Sequence, residues 1–199
     1  YITGLGDSMT EEWVDTSKLI NYSHDEEKAA ELLEAAGLTK DGKGQWLRPD
    51  GSQFTLSLQC PMTWSDASTA ASEIAQQLTA FGIKTTVEGI DESMRQGNID
   101  DGNYEIAMSF FGSGQPHPMF SYETPLIMSS KGLSYDMVQD TECCGQVDLS
   151  ALLTESTSGW DTDAQKAAVE KIVLTVNETV PYLPVYTKYS KYITSEGMR

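Results

Sequence analysis

Tyr22-Ser23-His24-Asp25-Glu26-Glu27-Lys28-Ala29-Ala30-Glu31-Leu32-Leu33-Glu34-Ala35-Ala36-Gly37 is followed at once by Asp41-Gly42-Lys43-Gly44, Gln45-Trp46-Leu47-Arg48 and Pro49-Asp50-Gly51. Ser23 with Glu26 three residues on is a capping-box pattern, so a helix is expected to start there. Ala29, Leu32, Leu33 and Ala36 recur at helical spacing, and Gly37 supplies the left-handed residue that closes a helix. The Gly- and Asp-rich turns on either side of Trp46 predict a hairpin. After it, Phe54-Thr55-Leu56-Ser57-Leu58-Gln59-Cys60 alternates apolar and polar residues, as a half-buried strand does.

Working outward, Pro61 to Asp66 reads as a loop ending in a helix cap at Ser65-Asp66. Ala70, Ile74, Leu78 and Phe81 line one face of the next helix, which Gly82 stops. Ile83, Thr85 and Val87 alternate as a second strand. Strand, helix and strand in this order imply a parallel βαβ crossover. A short helix is expected around Asp91 to Gln96, then a buried central strand over Tyr104 to Phe111. The segment from Gly112 to Trp160 lacks periodicity and predicts loops with short helices, one of them at Val147 to Leu153. Ala164, Ala168, Ile172, Val176 and Val180 recur every four residues, giving a long helix that ends before Pro181. Leu183 to Tyr186 is expected as a last strand.

The order "Y-x-x-D-x-x-K-A-x-x-L-L-x-x-A-G" helix, Gly/Asp turn and "W-x-x-P-D-G" hairpin resembles the family 5 extracellular solute-binding proteins, the oligopeptide-, dipeptide- and nickel-binding receptors of bacterial ABC importers. Some members bind oligosaccharides. Phe81-Gly82-Ile83-Lys84, Tyr104-Glu105-Ile106 and Pro181-Tyr182-Leu183-Pro184-Val185-Tyr186 extend the likeness more loosely, and residues 1–20 and 126–159 carry it least. The resemblance implies an α/β fold: a lobe of the type II periplasmic-binding-protein kind, with a mixed sheet, βαβ crossovers and flanking helices. It also implies that residues 1–199 form one domain, the second lobe of a larger two-lobed receptor. The partners implied are a small-molecule solute (an oligosaccharide or a peptide), an ABC permease in the membrane and the first lobe of the same chain. The expected location is the extracellular face of the cell membrane or the periplasm, with a lipid anchor.

Composition narrows the alternatives. Thirteen Lys and Arg against thirty Asp and Glu leave a formal charge of −17, which repels phosphate backbones and argues against nucleic acid as a partner. No apolar run is long enough to cross a bilayer. Catalysis is not expected. The two histidines, His24 and His117, stand near no G-x-S-x-G elbow, and neither a P-loop nor a dinucleotide fingerprint is present. No cofactor is expected. Cys60, Cys143 and Cys144 lack C-x-x-C spacing, and with His117 they match no common metal site. Cys60 falls on the apolar face of its strand and is expected to pack as a small hydrophobe.

The segment Phe110-Phe111-Gly112-Ser113-Gly114-Gln115-Pro116-His117-Pro118 leaves the carboxyl end of a parallel strand, where open α/β sheets place their crevices. Its glycines let backbone approach a ligand closely. Trp64, after the preceding strand, belongs to the same end of the sheet and serves either as ligand contact or as core anchor. The candidate ligand-binding residues are therefore Trp64, Phe110, Phe111, Gly112, Ser113, Gly114, Gln115 and His117. In peptide-binding members that the segment resembles, an aspartate pairs with the peptide's α-amino group; here Gly114 stands in its place. A buried ammonium without a counter-charge is costly, so the resemblance points to a neutral ligand such as an oligosaccharide. Two other classes remain: a secreted hydrolase domain, which would turn over substrate through His117, and a cell-surface interaction module, which would bind a partner through an exposed apolar patch.

Overall fold

The computed structural model describes residues 1–110, 117–128 and 135–186. A short helix α1 (Asp7–Trp13) opens the chain and α2 (Glu26–Ala35) follows. The hairpin is present, with β1 (Thr39–Lys40) antiparallel to β2 (Trp46–Leu47). Asp41 makes its turn by accepting from the N–H groups of Lys43 and Gln45, at 2.9 and 2.7 Å. Trp46 is fully buried beneath the hairpin and donates from Nε1 to the Phe81 carbonyl at 3.2 Å.

Then comes the βαβαβ unit: β3 (Thr55–Pro61), α3 (Ser65–Phe81), β4 (Lys84–Ile90), α4 (Glu92–Asp101) and β5 (Ile106–Ala107). The three strands form one parallel sheet in the order β4-β3-β5. The expected α/β architecture is thus observed, with βαβ crossovers, flanking helices and antiparallel ribbons beside the sheet. Leu58, Cys60, Ala67, Ala71 and Met108 pack the sheet against α3, with Cys60 wholly buried as its alternation predicts.

After residue 117 come α5 (Met119–Tyr122), which runs into a π turn over Glu123–Met128, the hairpin β6 (Val138–Thr141) with β7 (Gly145–Asp148), and the helices α6 (Leu149–Glu155) and α7 (Thr162–Thr179). A second core lies here, in which Val169, Ile172, Val173 and Val176 of α7 meet Tyr122, Leu126, Leu149 and Leu153. Asp161 starts α7 by accepting from the N–H groups of Asp163 and Ala164.

Several expectations are corrected. Asp25, not Ser23, caps α2: its extended backbone brings the carboxylate within 2.8 Å of the Lys28 N–H. The apolar stripe of α2 is not core; no residue of that helix is buried and Leu32 is 61% exposed. The cap of α3 is Trp64, with no side-chain cap bond, while Asp66 accepts from the N–H of Ala67 instead. Of the strand expected over 104–111, whose last residue lies outside the described residues, the described part shrinks to Ile106–Ala107, at the edge of the three-stranded order rather than its centre. Side chains replace the ladder before it: Glu105 takes the Ser57 N–H at 2.6 Å, and Gln59 donates to the Asn103 carbonyl at 3.2 Å. Leu183–Tyr186 forms no strand. The β6–β7 hairpin stands where loops and short helices were expected. Its turn is held from a distance by Glu178 of α7, whose carboxylate accepts from the N–H groups of Glu142 and Cys143 at 2.7 and 3.0 Å.

Candidate functional site

The strand order reverses around β3: α3 carries the chain to β4 on one side, and α4 carries it back to β5 on the other. Ligands of open α/β sheets bind outside the carboxyl ends of strands at such reversals. Two aromatic residues meet there. Trp64 follows β3 and is held at the start of α3 by a bond from its N–H to the Pro61 carbonyl at 3.1 Å. Phe110 follows β5, whose end is anchored by the Met108 N–H on the Gln59 carbonyl at 2.8 Å. Their ring centroids lie 5.2 Å apart at an interplanar angle of 51°, and Phe110 is 65% exposed. Trp64 is half-buried. It packs against the core between the sheet and α3.

Arg95 of α4 completes the group. Its guanidinium carbon stands 5.3 Å from the Trp64 centroid and 5.2 Å from that of Phe110, so the three groups form a nearly equilateral triangle. Each such cation–π contact contributes about 0.5–2 kcal/mol, more as water is excluded. Nη1 donates to Ser109 Oγ at 2.8 Å. The start of α4 is tied to the Trp64 loop by Thr63 Oγ1 donating to the Glu92 carboxylate at 3.2 Å. Sequence reading did not single out Arg95. Its signal was isolation: no other Lys or Arg stands between Lys84 and Lys131.

His117 has different company. Its ring meets Trp13 of α1 edge-on, with centroids 4.8 Å apart, and its Nδ1 accepts from the Met119 N–H at 3.2 Å. Burial holds the imidazole below its usual value, while the Ser156 backbone acts the other way. The structure therefore joins Trp64 to Phe110 and sets His117 against Trp13. Phe111, Gly112, Ser113, Gly114 and Gln115 lie outside the described residues.

Elsewhere, a cavity of about 300 Å³ is lined by Lys18, Ile20, Cys143 and Glu178, and one of about 260 Å³ by Ser57, Lys84 and Glu105 at the amino ends of the strands. Among the described residues no three His, Cys, Asp or Glu side chains gather as a metal site would need. No described helix is long and apolar enough to cross a membrane.

The architecture has close counterparts among solved structures. NikA of Brucella suis, in complex with Fe(III)-EDTA, matches over 93% of this chain with a TM-score of 0.71 at 22% identity. The mannohexaose-bound periplasmic oligopeptide-binding protein of Thermotoga maritima matches over 92% with a TM-score of 0.68 at 18% identity. DppA of Helicobacter pylori, in complex with the peptide STSA, matches over 93% with a TM-score of 0.65 at 18% identity. The chain spans about a third of each of these proteins, 36%, 33% and 32% of their lengths respectively. No curated protein matches the chain. The family model "Bacterial extracellular solute-binding proteins, family 5 Middle" matches residues 4–132, well over half the sequence, a span that includes the helix–hairpin stretch and both Trp64 and Phe110. The chain belongs to the family 5 bacterial extracellular solute-binding proteins.

Proposed function

We propose that this chain is one lobe of the substrate-binding component of an ABC importer, a binding protein rather than an enzyme. It works outside the cytoplasmic membrane, tethered there by a lipid. The solute is held between this lobe and the other, hinge closure shuts water out, and the closed form presents its cargo to a membrane permease. The observation that carries the reading is the Trp64–Phe110 pair, two tilted rings in contact at the carboxyl ends of neighbouring parallel strands, with one ring largely open.

An oligosaccharide fits this face better than a peptide. Sugar rings present C–H surfaces that stack on aromatic rings, and Gly114 offers no carboxylate to a peptide ammonium. The fold itself is compatible with both classes: among similar structures one holds mannohexaose and another the peptide STSA. On this reading ligand contact falls to Trp64, Phe110, the 111–115 segment and His117.

The test is a thermal-shift screen of the full-length protein against oligosaccharides, peptides and metal chelates, since a ligand that binds the native state raises its melting temperature. A shift with an oligosaccharide class is expected. A shift confined to peptides would keep the receptor and overturn the sugar. Stability unmoved by every class, together with capture of a protein partner, would favour an interaction module.

A further inference from the structure

We propose that Arg95 gives this site its selectivity, and that the ligand is an acidic saccharide whose carboxylate meets the Arg95 guanidinium while its ring stacks on Phe110. The inference rests on the reading of the Trp64–Phe110 face as the ligand site, and it narrows the solute class. Gly114 removes a negative charge from the family's pattern and suggests a neutral ligand. Arg95 changes that conclusion, because it adds a positive one.

The protein carries thirty carboxylates against thirteen Lys and Arg, yet among the described residues Arg95 forms no ion pair. Lys18 and Lys28, by contrast, are each paired with a glutamate. Arg95 is placed by ring faces and by one neutral hydroxyl, Ser109 Oγ. A guanidinium has five N–H donors. One goes to Ser109, and Nε is enclosed with no acceptor among the described residues. Nη2 also has no acceptor there. A planar fork fixed in place with donors to spare suits a carboxylate, which it binds with charge-assisted bonds.

Phe110, 65% exposed, and the guanidinium share an edge of the triangle at 5.2 Å. A pyranose stacked on the open side of Phe110 would carry a ring substituent towards Arg95, and a carboxylate at that substituent distinguishes a hexuronate from a hexose. A molecule of formal charge −17 repels anions at long range. Discrimination for an anion must then be made at short range, by a cation inside the site.

The experiment is calorimetric titration of the full-length protein with hexuronate-containing oligosaccharides and with the same oligosaccharides carboxyl-reduced to neutral hexose. The acidic form should bind at least tenfold more tightly, with a preference that narrows as salt is added. Arg95→Met, which keeps the packing volume but removes the charge, should abolish the preference. Arg95→Lys, which keeps the charge, should retain part of it, so a loss of packing cannot be mistaken for a loss of recognition. Phe110→Leu should weaken both forms together and leave their ratio unchanged. Equal binding of the two forms, or tighter binding of the neutral one, would overturn the proposal and leave Arg95 as a brace for the rings. Binding of neither form, with a shift for peptides, would overturn the saccharide reading itself and this inference with it.

Discussion

The side-chain amide of Asn177 closes on the backbone of Ile20 from both sides: Oδ1 accepts the Ile20 N–H at 2.7 Å and Nδ2 donates to the Ile20 carbonyl at 3.2 Å. Nδ2 also reaches the Ile2 carbonyl at 3.2 Å, so one buried residue of α7 fixes two points of the amino-terminal segment. A buried polar group that loses its partner costs about 1–3 kcal/mol. Asn177→Ala strands three backbone groups, partly relieved by water, and should cost about 2–4 kcal/mol. For a chain of this size that is a fall of roughly 5–12 °C in melting temperature. Differential scanning calorimetry checks it. A change under 2 °C would mean that the amino-terminal segment contributes little to the cooperative unit.

The two glycines Gly82 and Gly97 should respond to alanine in opposite directions. Gly82 has φ of +106°, and an added Cβ would stand 2.2 Å from the Gly44 carbonyl oxygen and 3.2 Å from the Trp46 ring. That approach lets the Gly82 carbonyl accept from the Trp46 N–H at 2.9 Å and docks the hairpin on the end of α3. Gly82→Ala should cost more than about 2 kcal/mol, from backbone strain and hairpin displacement together. Gly97 lies inside α4 with open space around it. There alanine should stabilise by about 0.5–1 kcal/mol, the difference in helix propensity. Paired urea melts separate the two signs.

The crossover unit was legible because its signals are local. Alternation at Leu56, Leu58 and Cys60, and the stop at Gly82, belong to single elements and need no distant partner. What could not be read depends on distant residues. The turn at Glu142-Cys143 has no turn dipeptide and is held by Glu178 on α7, a link invisible to any window on the sequence. The shortening of β5 has the same origin, since the Glu105 carboxylate takes a ladder donor from Ser57. The meeting of Trp64 and Phe110 could be expected from strand ends, whereas Arg95 joins them through the register of α4 against both loops. The place of His117 in its loop was legible; its contact with Trp13, more than a hundred positions away, carries no local mark.

The turn thiol Cys143 should be slow to alkylate in the native state. The residue is exposed, but its sulfur lies against Cys144 Sγ at 2.7 Å and Thr141 Oγ1 at 3.5 Å. Burial, the neighbouring thiol and the Glu178 carboxylate push its pKa up to about 12, from an ordinary value of 9.0. The unfolded chain therefore releases this proton first as pH rises. The stabilising contribution of the protonated thiol is complete below about pH 9 and is lost as pH climbs towards 12. An iodoacetamide pulse at pH 9, read by mass spectrometry, should label Cys143 much faster in denaturant than in buffer. Glu178→Gln should raise the native rate, because it removes a negative charge beside the sulfur.

Trp64 and His117 should separate ligand affinity from stability. Trp64→Ala removes one ring of the pair and the surface on which Arg95 rests. A stacked aromatic contact is worth about 0.5–1.5 kcal/mol beyond its buried area, so affinity should fall about tenfold or more in titrations of the full-length protein. His117→Phe keeps an aromatic edge against Trp13 and should leave that affinity within about twofold, well under 1 kcal/mol. Its signature is instead in pH. Because burial depresses the His117 pKa, the unfolded chain takes up this proton first as pH falls through about 6.5, and stability declines from there down to the folded-state value. The phenylalanine variant should lose that acid-side slope. Affinity that fell with His117→Phe as far as with Trp64→Ala would give the imidazole as large a share of ligand contact as the indole.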